Sequence, residues 1–156
     1  KLQHDTIADS LASMRLLIPK VADTQNLEQL RGYEGRAAAL YFQAFPHLLS
    51  QSGFSMQGRS RRPPRDPTNA VLSFGYTILL RLMQTEVLKV GLDPYLGFLH
   101  QARYGMPALT LDLIEEFRPL LVDSLILRLI NRKQLKPSDF YHPDDIQQAE
   151  KLLWGD

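Results

Sequence analysis

Apolar side chains recur every three or four residues along nearly this whole sequence and nowhere alternate with polar ones, a pattern that calls for helices and leaves no place for strands. Ile7, Ala8, Leu11, Met14, Leu17, Ile18 and Val21 share one helix face, and Pro19 is expected to kink or end that helix. A second helix is expected from Asn26, which forms a capping box with Gln29, and its apolar face runs through Leu27, Leu30, Ala37, Ala38, Tyr41, Phe45 and Leu48. The period fails over residues 51–67, where Gly, Ser, Pro and Arg accumulate in a long loop. Asp66 and Pro67 then open a third helix as N-cap and first helical residue, reaching about Val90 and closed by Gly91. Asp93 and Pro94 repeat that signal before a short fourth helix at residues 95–100. Thr110 caps a fifth helix running to about Gln134, and a sixth is expected at roughly residues 144–153. These signals predict an all-α fold of about six helices in one lobe spanning residues 1–156, with a long Arg- and Pro-rich loop between the second and third.

A chain of 156 residues with 44% hydrophobic and 22% charged side chains can bury a proper core. The absence of cysteine excludes disulfides, thiolate metal sites and cysteine nucleophiles. No apolar run is long enough to span a membrane and no signal-peptide pattern is present, so no membrane partner and a cytoplasmic location are expected. The first residue is Lys1, which fits excision from a longer polypeptide. The nucleotide-binding glycine loops, the H-E-x-x-H zinc motif, the G-x-S-x-G elbow and the paired Glu-x-x-His of di-iron bundles are all missing.

Three places break helical rules. Gly32 and Gly35 flank Glu34 inside the second helix, at roughly 1 kcal/mol each relative to alanine. Either Glu34 is a solvated carboxylate at a tight crossing, or the glycines let backbone approach closely so that Glu34 reaches an inner site. Asp112 and Glu115 share a face in the first turns of the fifth helix, where the helix dipole favours acids, and Pro119 removes the N–H that would bond the Glu115 carbonyl. His100 ends an apolar stretch, a position more often filled by a capping or core histidine than by a ligand. Together these places offer Glu, His and Glu or Asp, a set suited to Mg²⁺ or Mn²⁺. The loop adds Arg59, Arg61, Arg62 and Arg65, whose forks match phosphate oxygens.

The net charge of +1 argues against a nucleic-acid binder only if charge is evenly spread. It is not. Residues 57–67 hold four arginines and one aspartate, a local +3; residues 128–136 add four cations and no acid; residues 139–156 carry five acids against Lys151.

At these residues the chain resembles the CRISPR-associated protein one family, the endonuclease and integrase of CRISPR spacer acquisition. The matching stretches are LRGYEGRAAALYF at 30–42, RSRRPPRDPTNAVLSFGYTILL at 59–80 and GLDPYLGFLHQARYGMPALTLDLIEEFRPLLVDSLILRLINR at 91–132, in the family's order and over about half of the chain. The resemblance implies a catalytic metal site of Glu34, His100 and Glu115 binding Mg²⁺ or Mn²⁺, with Asp112 supporting or sharing it. It implies DNA contacts from Arg59, Arg61, Arg62, Arg65, Arg103 and Asn69, and support from Tyr76 and Arg118. It further implies DNA substrates (spacer precursor and CRISPR repeat), a small CRISPR-associated adaptation partner protein, and a homodimer of the full-length protein. The family's β-rich N-terminal domain, which contributes to dimerisation, is absent from this sequence. The competing expectation is a non-catalytic helical DNA-binding or assembly module with a vestigial metal site.

Overall fold

The computed structural model describes residues 2–101 and 103–140. Among them there is no strand beyond an isolated bridge between Arg103 and Met106, so the fold is all-α as expected. Six α-helices are present among the described residues: α1 Leu2–Arg15, α2 Leu17–Ala22, α3 Leu27–Ala44, α4 Pro67–Lys89, α5 Ala108–Phe117 and α6 Ser124–Asn131. They are not the six the sequence indicates. The first expected helix is split into α1 and α2, because Pro19 has no N–H for the Arg15 carbonyl and the ladder breaks there. The fifth is split into α5 and α6 by a π-helical turn, Arg118–Asp123. Pro119 lies inside that turn, so the opening anticipated at Glu115 is accommodated by wider i+5 bonding. The expected helix at 144–153 lies outside the described residues.

Residues 95–100 are a correction: they form a turn and bends, not a helix. Asp93 accepts a hydrogen bond from the Tyr95 N–H at 2.8 Å, which closes a local turn. Further on, Gly97 lies so close to the start of α5 that an added Cβ would sit 2.7 Å from the Ala108 carbonyl carbon. Nor does Thr110 cap α5. That helix begins at Ala108 after Pro107, and the Pro94 carbonyl accepts from the Leu109 N–H at 3.0 Å, supplying a partner from outside the helix. Its C-terminal partner α6 stops at Asn131, short of Gln134, where Lys133 takes a left-handed conformation (φ 57°). Asn26 does cap α3 through the Glu28 N–H at 2.8 Å, but Gln29 accepts from the Thr24 hydroxyl instead of completing a box. Pro46 converts the end of that helix into a 3-10 turn, Phe45–Leu48.

The core lies where α3, α4, α5 and α6 meet the loop, around Phe45, Phe54, Leu72, Ile114, Ile126 and Ile130. Each fully buried side chain of this kind contributes about 1.5–3 kcal/mol. α4 packs closely against the π turn and α6 at Gly75, where a Cβ would stand 2.6 Å from Val122 Cγ1 and 3.3 Å from Ile126 Cδ1. No helix among the described residues is long and apolar enough to cross a membrane.

Gly75→Ala should therefore destabilise the fold by about 1–2 kcal/mol despite alanine's better helix propensity, because the stiff Val122 side chain must give way. Gly32→Ala, where a Cβ meets nothing within 4 Å, should instead gain up to about 1 kcal/mol. Urea denaturation of the two variants measures both, and the opposite order would contradict this packing.

Candidate active site

One cleft of about 650 Å³ is lined by Glu34 from α3, His100 from the loop before α5, Glu115 from α5, Arg118 from the π turn, and Arg61 and Arg62 from the long loop. α3 and the region around α5 thus bring the expected acidic and imidazole residues to one cleft, with four arginines, Arg61, Arg62, Arg81 and Arg118, lining it as well.

His100 owes its place to Asp112. One oxygen of that carboxylate, Oδ2, accepts from the N–H groups of Phe98 at 2.6 Å and Leu99 at 3.0 Å. The other, Oδ1, accepts from the His100 N–H at 2.9 Å and faces its ring Nδ1 at 2.7 Å. Both oxygens are occupied, so Asp112 stands behind the histidine and leaves Nε2 as the ring nitrogen free for the cleft. Burial works to raise the Asp112 carboxyl, but the His100 ring and the backbone N–H groups of His100, Phe98 and Leu99 outweigh it and hold the group below the usual carboxylate range. The loop is also tied to α3, because Arg31 Nε donates to the Leu99 carbonyl at 2.7 Å, one turn before Glu34.

Burial lifts the Glu115 carboxyl above its ordinary value; Arg118 pulls it down, Glu34 pushes it up, and His100 and Arg61 pull it down again. Arg118 Nη1 lies 2.6 Å from Glu115 Oε1. Glu34 is exposed on α3. Its flanking glycines do not serve a close approach, since nothing lies within 4 Å of a Cβ built on Gly32 or Gly35. Two carboxylates and one imidazole nitrogen suit a hard divalent ion, and the repulsion that Glu34 exerts on Glu115 is what a cation would relieve. As placed, no three His, Asp or Glu side chains among the described residues are drawn close enough to hold a metal together.

Two residues expected on DNA are engaged within the protein, Asn69 fully and Arg59 in part, since Arg59 keeps intermediate exposure. Asn69 is fully buried: its amide donates to the Gly58 carbonyl at 2.9 Å and to Asp66 at 2.6 Å, and its oxygen accepts from the Ser60 N–H at 2.9 Å and Arg59 Nη1 at 2.8 Å. Arg59 also donates to Ser73 Oγ at 2.9 Å and lies over the rings of Tyr76 and Phe42. Both pin the long loop to α4, although Arg59 Nε finds no hydrogen-bond partner and the side chain also lines a surface depression. Arg65 lines a separate depression with Ser55 and Asp66. Arg103 lines a smaller one that shares Glu34 and His100 with the main cleft. Tyr76 stands behind the wall, donating to Asp123 Oδ1 at 2.5 Å, while Tyr41 donates to Asp123 Oδ2 at 2.7 Å.

Sequence reasoning missed Asp123, which is 2% exposed. Burial raises its carboxyl, while Tyr76, Tyr41, Arg118 and Arg59 pull it down. Its signal was an aspartate embedded in the apolar run PLLVDSLIL. Tyr95, Arg81 and Gln84 also line the main cleft, without any sequence signal.

A family model described as CRISPR associated protein Cas1 matches residues 1–151. A CRISPR-associated endonuclease Cas1 from Rhodospirillum rubrum is 51% identical over 141 residues, which is 88% of this chain and 41% of the relative. The chain therefore spans about two-fifths of that protein's length. A Cas1 protein from Thermotoga maritima superposes with a TM-score of 0.76 at 28% identity, covering 96% of this chain and 53% of that one. A chain of a Cas6-RT-Cas1–Cas2 complex gives 0.82 at 33% identity, covering 93% and 16%.

Asp112→Asn should cost roughly 2 kcal/mol at neutral pH, the scale of hydrogen bonds to a charged acceptor. Because the folded carboxyl is depressed, its contribution is full above the unfolded value near pH 4 and is lost as pH falls through the folded one. Stability curves of wild type and variant should therefore converge in strong acid; a constant gap down to low pH would contradict the clamp.

Proposed function

The chain belongs to the Cas1 family of CRISPR-associated proteins, and on that premise we propose that it is the C-terminal helical catalytic domain of a metal-dependent DNA endonuclease and integrase of CRISPR adaptation. The observation that carries this reading is the convergence of Glu34, His100 and Glu115 on one cleft that also presents Arg61, Arg62 and Arg118. A Mg²⁺ or Mn²⁺ ion held by Glu34, His100 and Glu115 would polarise the scissile phosphate and offset charge on the attacking and leaving oxygens.

The chain's own residues do the rest. Arg61 and Arg62 hold the phosphodiester by its non-bridging oxygens, where negative charge grows in the transition state. Their forks contact backbone and not base edges, so they position DNA without reading sequence. Asp112 keeps His100 in one tautomer and one orientation, with Nδ1–H donated and Nε2 free. Arg118, paired to Glu115, opposes the effect of burial on that half-buried carboxyl. In strand transfer the 3′-hydroxyl oxygen of captured DNA bonds to phosphorus as the repeat's P–O3′ bond breaks, and the proton ends on the departing oxygen. In cleavage, water takes the place of that hydroxyl.

The spacer precursor and the CRISPR repeat are the proposed substrates, in a prokaryotic cytoplasm. The structural likeness to a chain of a Cas1–Cas2 assembly supports a small adaptation partner for the full-length protein, acting as a homodimer. A second reading, a helical DNA-binding or assembly module with a vestigial site, is favoured by the Glu115–Arg118 pair and by the lack of a closed ligand cluster among the described residues.

Incubating DNA with the protein and Mn²⁺ or Mg²⁺ separates the two. Nicking or joining by wild type that falls roughly 10²-fold or more in Glu34→Ala and His100→Ala is the expected outcome. Equal rates in all three proteins, or salt-sensitive DNA binding indifferent to divalent ions in all three, would establish the second reading.

A further inference from the structure

Tyr104 is 108% exposed, the highest value of any large apolar or aromatic side chain among the described residues, so its ring packs against nothing. The backbone beneath it is closed. The Met106 N–H donates to the Arg103 carbonyl at 3.0 Å, and Gly105 takes the left-handed conformation (φ 71°) that a type II turn requires at its third residue. Tyr104 therefore stands at the corner of a tight turn, a position that proline would fill as readily as far as folding is concerned. A large aromatic face held wholly in water there adds nothing to the core and is open to a ligand.

The turn borders two basic depressions. Gly105 and Met106 line the main cleft, Arg103 and Met106 line the smaller one, and Glu34 and His100 are common to both. Arg103, next to Tyr104, is exposed. The main cleft contains a second aromatic face, that of Tyr95, which is 46% exposed, along with Arg61, Arg62 and Arg81. Arginines interleaved with exposed rings are the composition of a single-strand groove, in which cations follow the phosphates and each ring stacks on a base. In a closed duplex the base faces are covered by their neighbours, so an uncharged ring at a turn corner needs an unpaired base to stack on.

We propose that Tyr104 is a stacking platform for an unpaired nucleobase, on a DNA strand whose phosphates lie along Arg103 and the arginines of the main cleft. The inference rests on the DNA-binding reading above and holds whether or not the site of Glu34, His100 and Glu115 is catalytic.

Fluorescence anisotropy in EDTA, which prevents metal-dependent cleavage, tests it with a short duplex carrying a single-stranded tail and the same duplex with blunt ends. Tyr104→Ala should weaken binding of the tailed DNA roughly 5- to 100-fold and leave binding of the blunt duplex at the wild-type level. Tyr104→Phe should keep wild-type affinity for the tailed DNA, while Tyr104→Leu, apolar but without a π face, should behave as Tyr104→Ala does. All three variants should retain the wild-type circular dichroism spectrum and melting temperature, since the ring covers no part of the fold. The inference is overturned if Tyr104→Ala binds tailed DNA as tightly as wild type, or if it loses both DNAs equally. It is also overturned if Tyr104→Leu matches wild type, which would assign the turn to an apolar contact and not to stacking. Wild-type protein that binds neither DNA would overturn the DNA-binding reading itself, and the stacking role with it.

Discussion

The cleft depends on how one carboxylate is loaded. Asp112 gathers three consecutive backbone N–H groups, of Phe98, Leu99 and His100, together with the imidazole of the last. Those N–H groups belong to a stretch with no helix or strand of its own, and a half-buried stretch without partners would be costly. An anion surrounded by converging amides solves both problems at once: the loop gains its hydrogen bonds, and the carboxylate keeps its charge in a place that would otherwise favour protonation. The close approach of Gly97 to Ala108 presses the same loop against the start of α5. Glu115 follows Asp112 by three residues on that helix, so positioning of the imidazole and of the second acid comes from one turn.

A deeper carboxylate supports the basic side of the cleft. Asp123 accepts from Tyr41 and Tyr76, and the guanidinium groups of Arg59 at 5.4 Å and Arg118 at 4.9 Å both lie over the ring of Tyr76. A buried aspartate without such company would be strongly destabilising. Here two hydroxyls and two nearby cations counter part of its desolvation, and the same two cations do work at a distance. Arg59 anchors the long loop through Asn69 and Ser73, while Arg118 holds Glu115. The π turn around Pro119 contains Asp123 and makes the junction between α5 and α6, so one proline bears on both ends of this network.

How much of this could be read from the sequence differs by the range of the cause. Helices with a steady apolar period were legible, as was the Asp66 cap, because their determinants lie within a few residues. The Asp-Pro signal shows the limit. At residues 66–67 it opens a 23-residue helix, and at residues 93–94 it opens only a turn. The two dipeptides are identical; the difference is Asp112, fourteen residues after Phe98, competing for the amides that a helix would have used. Four loop arginines likewise look alike as composition, yet Arg59 is tied to Asn69 and Ser73 while Arg61 and Arg62 face the cleft. The acidic and imidazole trio itself was found from breaks in helical regularity and from family strings. Asp123 was detectable as an oddity within an apolar run, but its tyrosine partners, 82 and 47 residues away, were not.

The anchoring of residues 57–67 by Asn69 has a consequence for recognition. A glycine-, serine- and proline-rich loop would ordinarily sample many conformations, and a polyanion binding to it would have to freeze them, at about 1–2 kcal/mol of entropy per residue. Here the buried amide of Asn69 fixes Gly58, Ser60 and Arg59 before any ligand arrives. Arg61 and Arg62 are thus displayed from a scaffold whose freedom was surrendered during folding. On the proposed reading, their charge would meet a phosphate backbone from a loop already ordered, so that geometry as well as charge would limit which strand conformations fit the cleft.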